Sequence, residues 1–140
     1  MIHRISLIVV LAGLLSAQSP SVPCCNNCDP SGRSHDDVVC LNAKEMRDHV
    51  DHIEPLKPSG LDKDLNLAGT VVVEMRFDAR GKVECARAKS GHPIAISAAM
   101  EAVRKWTFKP VTSKAGTTAG CGRITIRYRL RDRGSSTELQ

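Results

Sequence analysis

Residues 69–81 read GTVVVEMRFDARG, and the fold is decided there. Val71, Val73, Met75 and Phe77 fall on one face while Val72, Glu74 and Arg76 take the other, the period-two pattern of a half-buried strand. Asp78-Ala79-Arg80-Gly81 then places Asp first and Gly fourth, the preferences of a type I turn whose Gly81 takes positive φ. A hairpin is expected. On the return strand, Lys82 to Lys89, Val83 is apolar and then Ala86 and Ala88, so the inward phase slips by one residue near Glu84 and Cys85, which predicts a bulge.

Next comes Ser90-Gly91-His92-Pro93, where Pro93 suits the first turn of a helix and either His92 or Ser90 serves as its cap. Ile96, Ala99, Met100, Val103 and Trp106 recur at three- and four-residue steps and predict one apolar stripe facing the sheet. Trp106-Thr107-Phe108 leads out in extended form and Pro110 ends the segment. Two of the chain's four aromatic rings lie here, as expected of core anchors. The last strand, residues 123–131, reads RITIRYRLR: Ile124, Ile126, Tyr128 and Leu130 point inward, and Arg123, Thr125, Arg127, Arg129 and Arg131 outward. That cationic rail reads either as a solvated face that protects an edge from aggregation or as a binding surface. Strands two and three are joined through a helix, so they should run parallel with strand one between them. The expected fold is therefore α+β: a small antiparallel three-stranded sheet in the order 2-1-3, a β-β-α-β core, and one or two helices on one face. Strand three is expected at the sheet edge.

GTVVVEMRFDARGKV from Gly69, SGHP at residues 90–93, AAMEAVRKWTFKP ending at Pro110 and the closing ITIRYRL resemble, in order and spacing, successive motifs of the TonB C-terminal domain family. The resemblance covers about Pro55 to Leu130. It implies a periplasmic domain whose last strand, here Arg123 to Leu130, accepts a short extended segment of an outer-membrane receptor. An open edge with unpaired N–H and C=O groups suits such strand addition on physical grounds as well. The same edge also suits pairing with a second copy of the chain. The resemblance further implies an energy transducer, which is tied to the inner membrane and crosses the periplasm on a Pro-rich linker; this sequence shows neither feature, so the expectation is strand pairing, with transport a further possibility.

At the N-terminus, Met1 to Arg4 is short and cationic, Ile5 to Leu15 is an unbroken apolar run, and Ser16-Ala17 offers small residues for cleavage, the pattern of a secretory signal over residues 1–17. The run falls short of the roughly 18 to 20 residues that a spanning helix needs. The alternative is an uncleaved inner-membrane anchor. Cleavage leaves about 120 residues, one domain with a modest core, and removing Arg4 takes the formal charge from +5 to +4. Export and the shortage of aromatics argue against nucleic acid as partner. Residues 18–54 read as a Cys-rich arm followed by a helix, with Asn42 and Glu45 resembling a capped start and Ala43, Met46, Val50 and Ile53 continuing at helical spacing. Residues 131–140 are expected to be a disordered tail.

Six cysteines in an exported chain favour disulfides. The simplest scheme pairs Cys24, Cys25, Cys28 and Cys40 among themselves and joins Cys85 to Cys121. Against it, two cysteines separated by an intervening strand stand ~9 to 10 Å apart, beyond the ~7 Å Cα limit for a bridge, unless Cys121 lies on a loop that curls inward. Cys25-Asn26-Asn27-Cys28 also has the spacing of a zinc knuckle or redox dithiol, and His49 and His52 lie one helical turn apart. A second CxxC or a close His pair is missing, so no metal or other cofactor is expected. Ser90 with His92 lacks the strand-turn-helix context of a hydrolase nucleophile, and Asp36-Asp37 reads as solvated charge. The expectation is a non-enzymatic binding module, with a cysteine-rich metal or thiol-redox protein on the same scaffold as the alternative.

Overall fold

The computed structural model describes residues 25, 38–57, 66–131 and 134–140. The expected signal segment, and Cys24, Cys28 and Asp36-Asp37 in the arm, lie outside them. In chain order the elements are β1 (Val38–Leu41), α1 (Ala43–Asp48), β2 (Val50–His52), β3 (Asn66–Phe77), β4 (Val83–Ser90), α2 (Pro93–Val103), β5 (Thr107–Phe108), β6 (Val111–Ser113), β7 (Gly116–Arg131) and β8 (Ser136–Leu139).

The three-stranded sheet expected from the sequence is overturned: the described residues form a six-stranded sheet, a separate two-stranded sheet and two helices. The large sheet runs β1-β7-β3-β4, with β6 and β8 also paired to β7. The cause is the length of β7, whose 16 residues expose more backbone than β3 alone satisfies, so short segments from elsewhere in the chain supply partners. Residues 131–140, expected as a tail, contribute one of them as β8.

The hairpin at the centre forms for local reasons. Asp78 Oδ1 accepts from the backbone N–H groups of Arg80 and Lys82, both at 2.9 Å, and Gly81 takes φ 84°. A Cβ at Gly81 would overlap the carbonyl oxygen of Phe108, so the turn requires glycine. Phe77 pairs with Val83 and Arg76 with Cys85, which leaves Glu84 as the extra residue of a bulge; a second register shift falls between Val72 and Val73.

Val71, Val73, Met75 and Phe77 of β3 and Ile124, Ile126, Tyr128 and Leu130 of β7 form the core face of the sheet. His92 caps α2, its Nδ1 accepting from Ile94 N at 3.3 Å, and Pro93 occupies the first turn. The buried side of α2 is Ala95, Ala98, Ala99, Ala102 and Val103, while Ile96 and Met100 are only partly buried. The expected stripe is thus rotated, because small side chains let the helix approach the sheet closely. Trp106 and Phe108 are buried; the Trp106 indole N–H donates to Glu54 O at 2.9 Å, and Phe108 stacks on Phe77 with ring centroids 4.4 Å apart.

Asn42 and Glu45 form a capping box at the start of α1. The helix stops at Asp48, however, and Val50–His52 turns into β2, paired antiparallel to β5. Met46 fits over Gly122, where any Cβ would collide with its side chain.

Candidate functional site: the β7 edge and its outer face

The residues expected to bind a partner, Arg123 to Leu130, all lie in β7. On one side, β7 pairs continuously with β3, from Phe77↔Gly120 to Asn66↔Arg131. The other side was expected to be open. Instead, β1 runs parallel to residues 119–122 and β8 antiparallel to residues 126–129. Beyond β8, Gln140 N donates to Thr125 O at 2.9 Å. The edge is therefore occupied by the chain's own strands, and β7 is an interior strand over these residues.

The alternation of antiparallel ladders assigns the backbone of β7. Gln140 bonds to Thr125, and in such a ladder hydrogen-bonded pairs recur at every second residue. Thr125, Arg127 and Arg129 therefore direct their N–H and C=O groups toward β8, whereas Ile126 and Tyr128 direct theirs toward β3. Side chains alternate with the same period of two, which leaves Arg127 and Arg129 exposed on the face opposite the helices.

A cleft of about 600 Å³ opens there, lined by Ala68, Gly69 and Thr70 of β3, Arg127, Tyr128 and Arg129 of β7, and Ser136 and Glu138 of β8. With its amide oxygen turned toward Arg127, Gln140 accepts from Arg127 Nε at 2.9 Å. Arg123 instead pairs with Glu74, Nε to Oε2 at 3.2 Å, and Lys89 approaches the same carboxylate at 3.9 Å. Glu74 is buried, and this pairing accounts for a charge out of water. Tyr128 is buried too, and that burial pushes its phenol above the ordinary 10.0.

Most of the remaining sequence candidates are structural. Gly69 faces Tyr128 across the ladder, Ser90 closes β4 opposite Val72, Gly91 joins β4 to α2 at φ 142°, and Pro110 separates β5 from β6. His49 caps the end of α1; His52 lies exposed in β2. Among the described residues no group of three or more His, Cys, Asp or Glu is placed to hold a metal ion.

The cysteines form a row that periodicity did not reveal. Cys40 of β1 faces Cys121 of β7, Cys121 faces Arg76 of β3, and Arg76 faces Cys85 of β4. Cys121 bonds to Cys25 of the arm, with Cα atoms 5.8 Å apart. The Cys85 to Cys121 bridge is thereby corrected, as is the pairing of the first four cysteines among themselves. Cys121 lies within β7, not on a loop before it, so β3 stands between it and Cys85 and holds them too far apart. Cys40 and Cys85 are disulfide-bonded as well.

Short strands laid along one long central strand are consistent with a protein-binding module of the β-augmentation type. The chain belongs to the family described as Gram-negative bacterial TonB protein C-terminal, whose model matches residues 61–130. As a member it is a non-enzymatic module. No curated protein and no solved structure gives a significant match. Among the described residues no helix is long and apolar enough to cross a membrane.

Proposed function

We propose that this chain is an exported envelope module that captures an extended segment of a partner protein, of the kind found at the periplasmic side of an outer-membrane receptor. The incoming strand takes the place of β8 on β7. The observation that carries this reading is β8 itself: a strand of four residues in antiparallel register on residues 126–129. A short strand with no other partner strand occupies, among the described residues, the position where family resemblance expects a ligand, and the exchange of one strand for another leaves the β3–β7 ladder intact.

The test is a photo-crosslinking residue at position 125 in cells, with and without Arg129→Pro. Proline at 129 removes an N–H that faces the strand position. Crosslinks to an extended segment of an envelope receptor, lost in the proline variant, are expected. Identical crosslinks from both chains, or none to any envelope protein, would refute the reading.

A further inference from the structure

Building on strand capture at β7, we infer that β8 is a built-in copy of the ligand: the captured segment carries a carboxylate opposite Arg127 and an aliphatic side chain opposite Ile126, and Arg127 sets specificity. The register pairs Ile126 with Leu139, Arg127 with Glu138, Tyr128 with Thr137 and Arg129 with Ser136. Leu139 packs against the core from the inner face. Beside it, Thr137 Oγ1 accepts from Leu56 N at 3.1 Å, so the inner positions ask for one aliphatic group and one hydroxyl.

The outer positions are read by charge. Glu138 lines the same cleft as Arg127 and Arg129. Arg123 is already committed to Glu74, whereas Arg127 and Arg129 form no ion pair among the described residues. Both arginines line the cleft together with Ser136 and Glu138 and favour carboxylates there, and with the Gln140 amide oxygen turned toward it Arg127 donates to that oxygen. Opposite Arg129 the chain places only Ser136. A foreign strand with an acidic residue at that position gains a cross-strand pair that β8 lacks, which lets it compete against a tethered rival.

The test uses the full chain carrying Glu138→Pro, which removes an N–H from β8, with retention of fold checked by circular dichroism. Leu139→Ala serves as a second, gentler way of loosening β8 should the proline disturb the fold. The probe is a labelled synthetic peptide, SSTELQ. It is expected to bind; lysine in place of its glutamate should weaken binding about tenfold, and aspartate in place of its leucine should abolish it. Glutamate in place of the serine opposite Arg129 should tighten binding roughly two- to fivefold. In an Arg127→Glu background the glutamate and lysine peptides should exchange rank. Equal binding by all peptides overturns the charge pattern while strand capture stands; failure of every peptide to bind a folded chain overturns both.

Discussion

Replacing Leu139 with alanine tests how firmly β8 holds its place. Its alternation on β7 provides about six ladder hydrogen bonds at a net ~0.5 to 1.5 kcal/mol each. Partial burial of Leu139 adds about 1 to 2 kcal/mol. Against this, ordering the last five residues costs about 5 to 10 kcal/mol at ~1 to 2 kcal/mol each. The two sides nearly cancel, so β8 opens locally at a small fraction of the free energy of global unfolding. Leu139 is only partly buried, so its truncation removes about 1 kcal/mol and multiplies the opening equilibrium constant about fivefold. Native-state amide exchange followed by NMR reads this residue by residue. The amides of Thr125, Arg127 and Arg129 face β8 and should exchange faster in Leu139→Ala, by up to about fivefold. Those of Ile126 and Tyr128 face β3 and should not change. If odd and even positions accelerate together, or the odd positions are as protected as the even ones in the unaltered chain, β8 is an integral strand and the exchange mechanism fails.

Gly81→Ala should destabilise the fold by about 3 kcal/mol or more, since it adds left-handed strain to an overlap with backbone that has little room to move. Urea unfolding checks it, and a loss below about 1 kcal/mol would contradict the turn geometry. The single tyrosine gives a clean pH readout: burial raises the folded pKa of Tyr128 above 10.0. Its contribution to stability is therefore complete below the unfolded value and is lost as pH rises through the folded one. Absorbance titration of the phenol should give a midpoint above 10.0 in the folded chain and an ordinary one in urea; equal midpoints would show the ring to be solvated.

What the sequence disclosed was local. The 78–81 turn, the bulge at Glu84, the cap of α2 and the Asn42 capping box each involve residues within a few positions of one another, and each formed where the spacing indicated, with His92 taking the cap for which Ser90 was the other candidate. The strands that overturned the simple sheet are not local. β8 contains one aliphatic residue in a polar stretch, and it becomes a strand only because β7 offers a partner. Likewise β2 is three residues long and pairs with residues more than fifty positions later, so Val50 and Ile53 passed for a helical continuation. Alanines dominate the buried side of α2, whereas the three- and four-residue steps picked out Ile96 and Met100 and passed over Ala95, Ala98 and Ala102. The separation of Cys85 from Cys121 by β3 was legible in the expected strand order, whereas the place of Cys40 beside Cys121 became legible only with the β1–β7 register.

One side of β7 is divided between two kinds of attachment. Residues 119–122 lie beside β1 and the Cys25–Cys121 bond, while residues 126–129 are held by β8 alone. A partner prising away the tail therefore works at the unlocked end of a zip whose other end is riveted. Tugging on a bound segment should strip it from the loose end inward and stop at the covalent seam, with the central strands undisturbed.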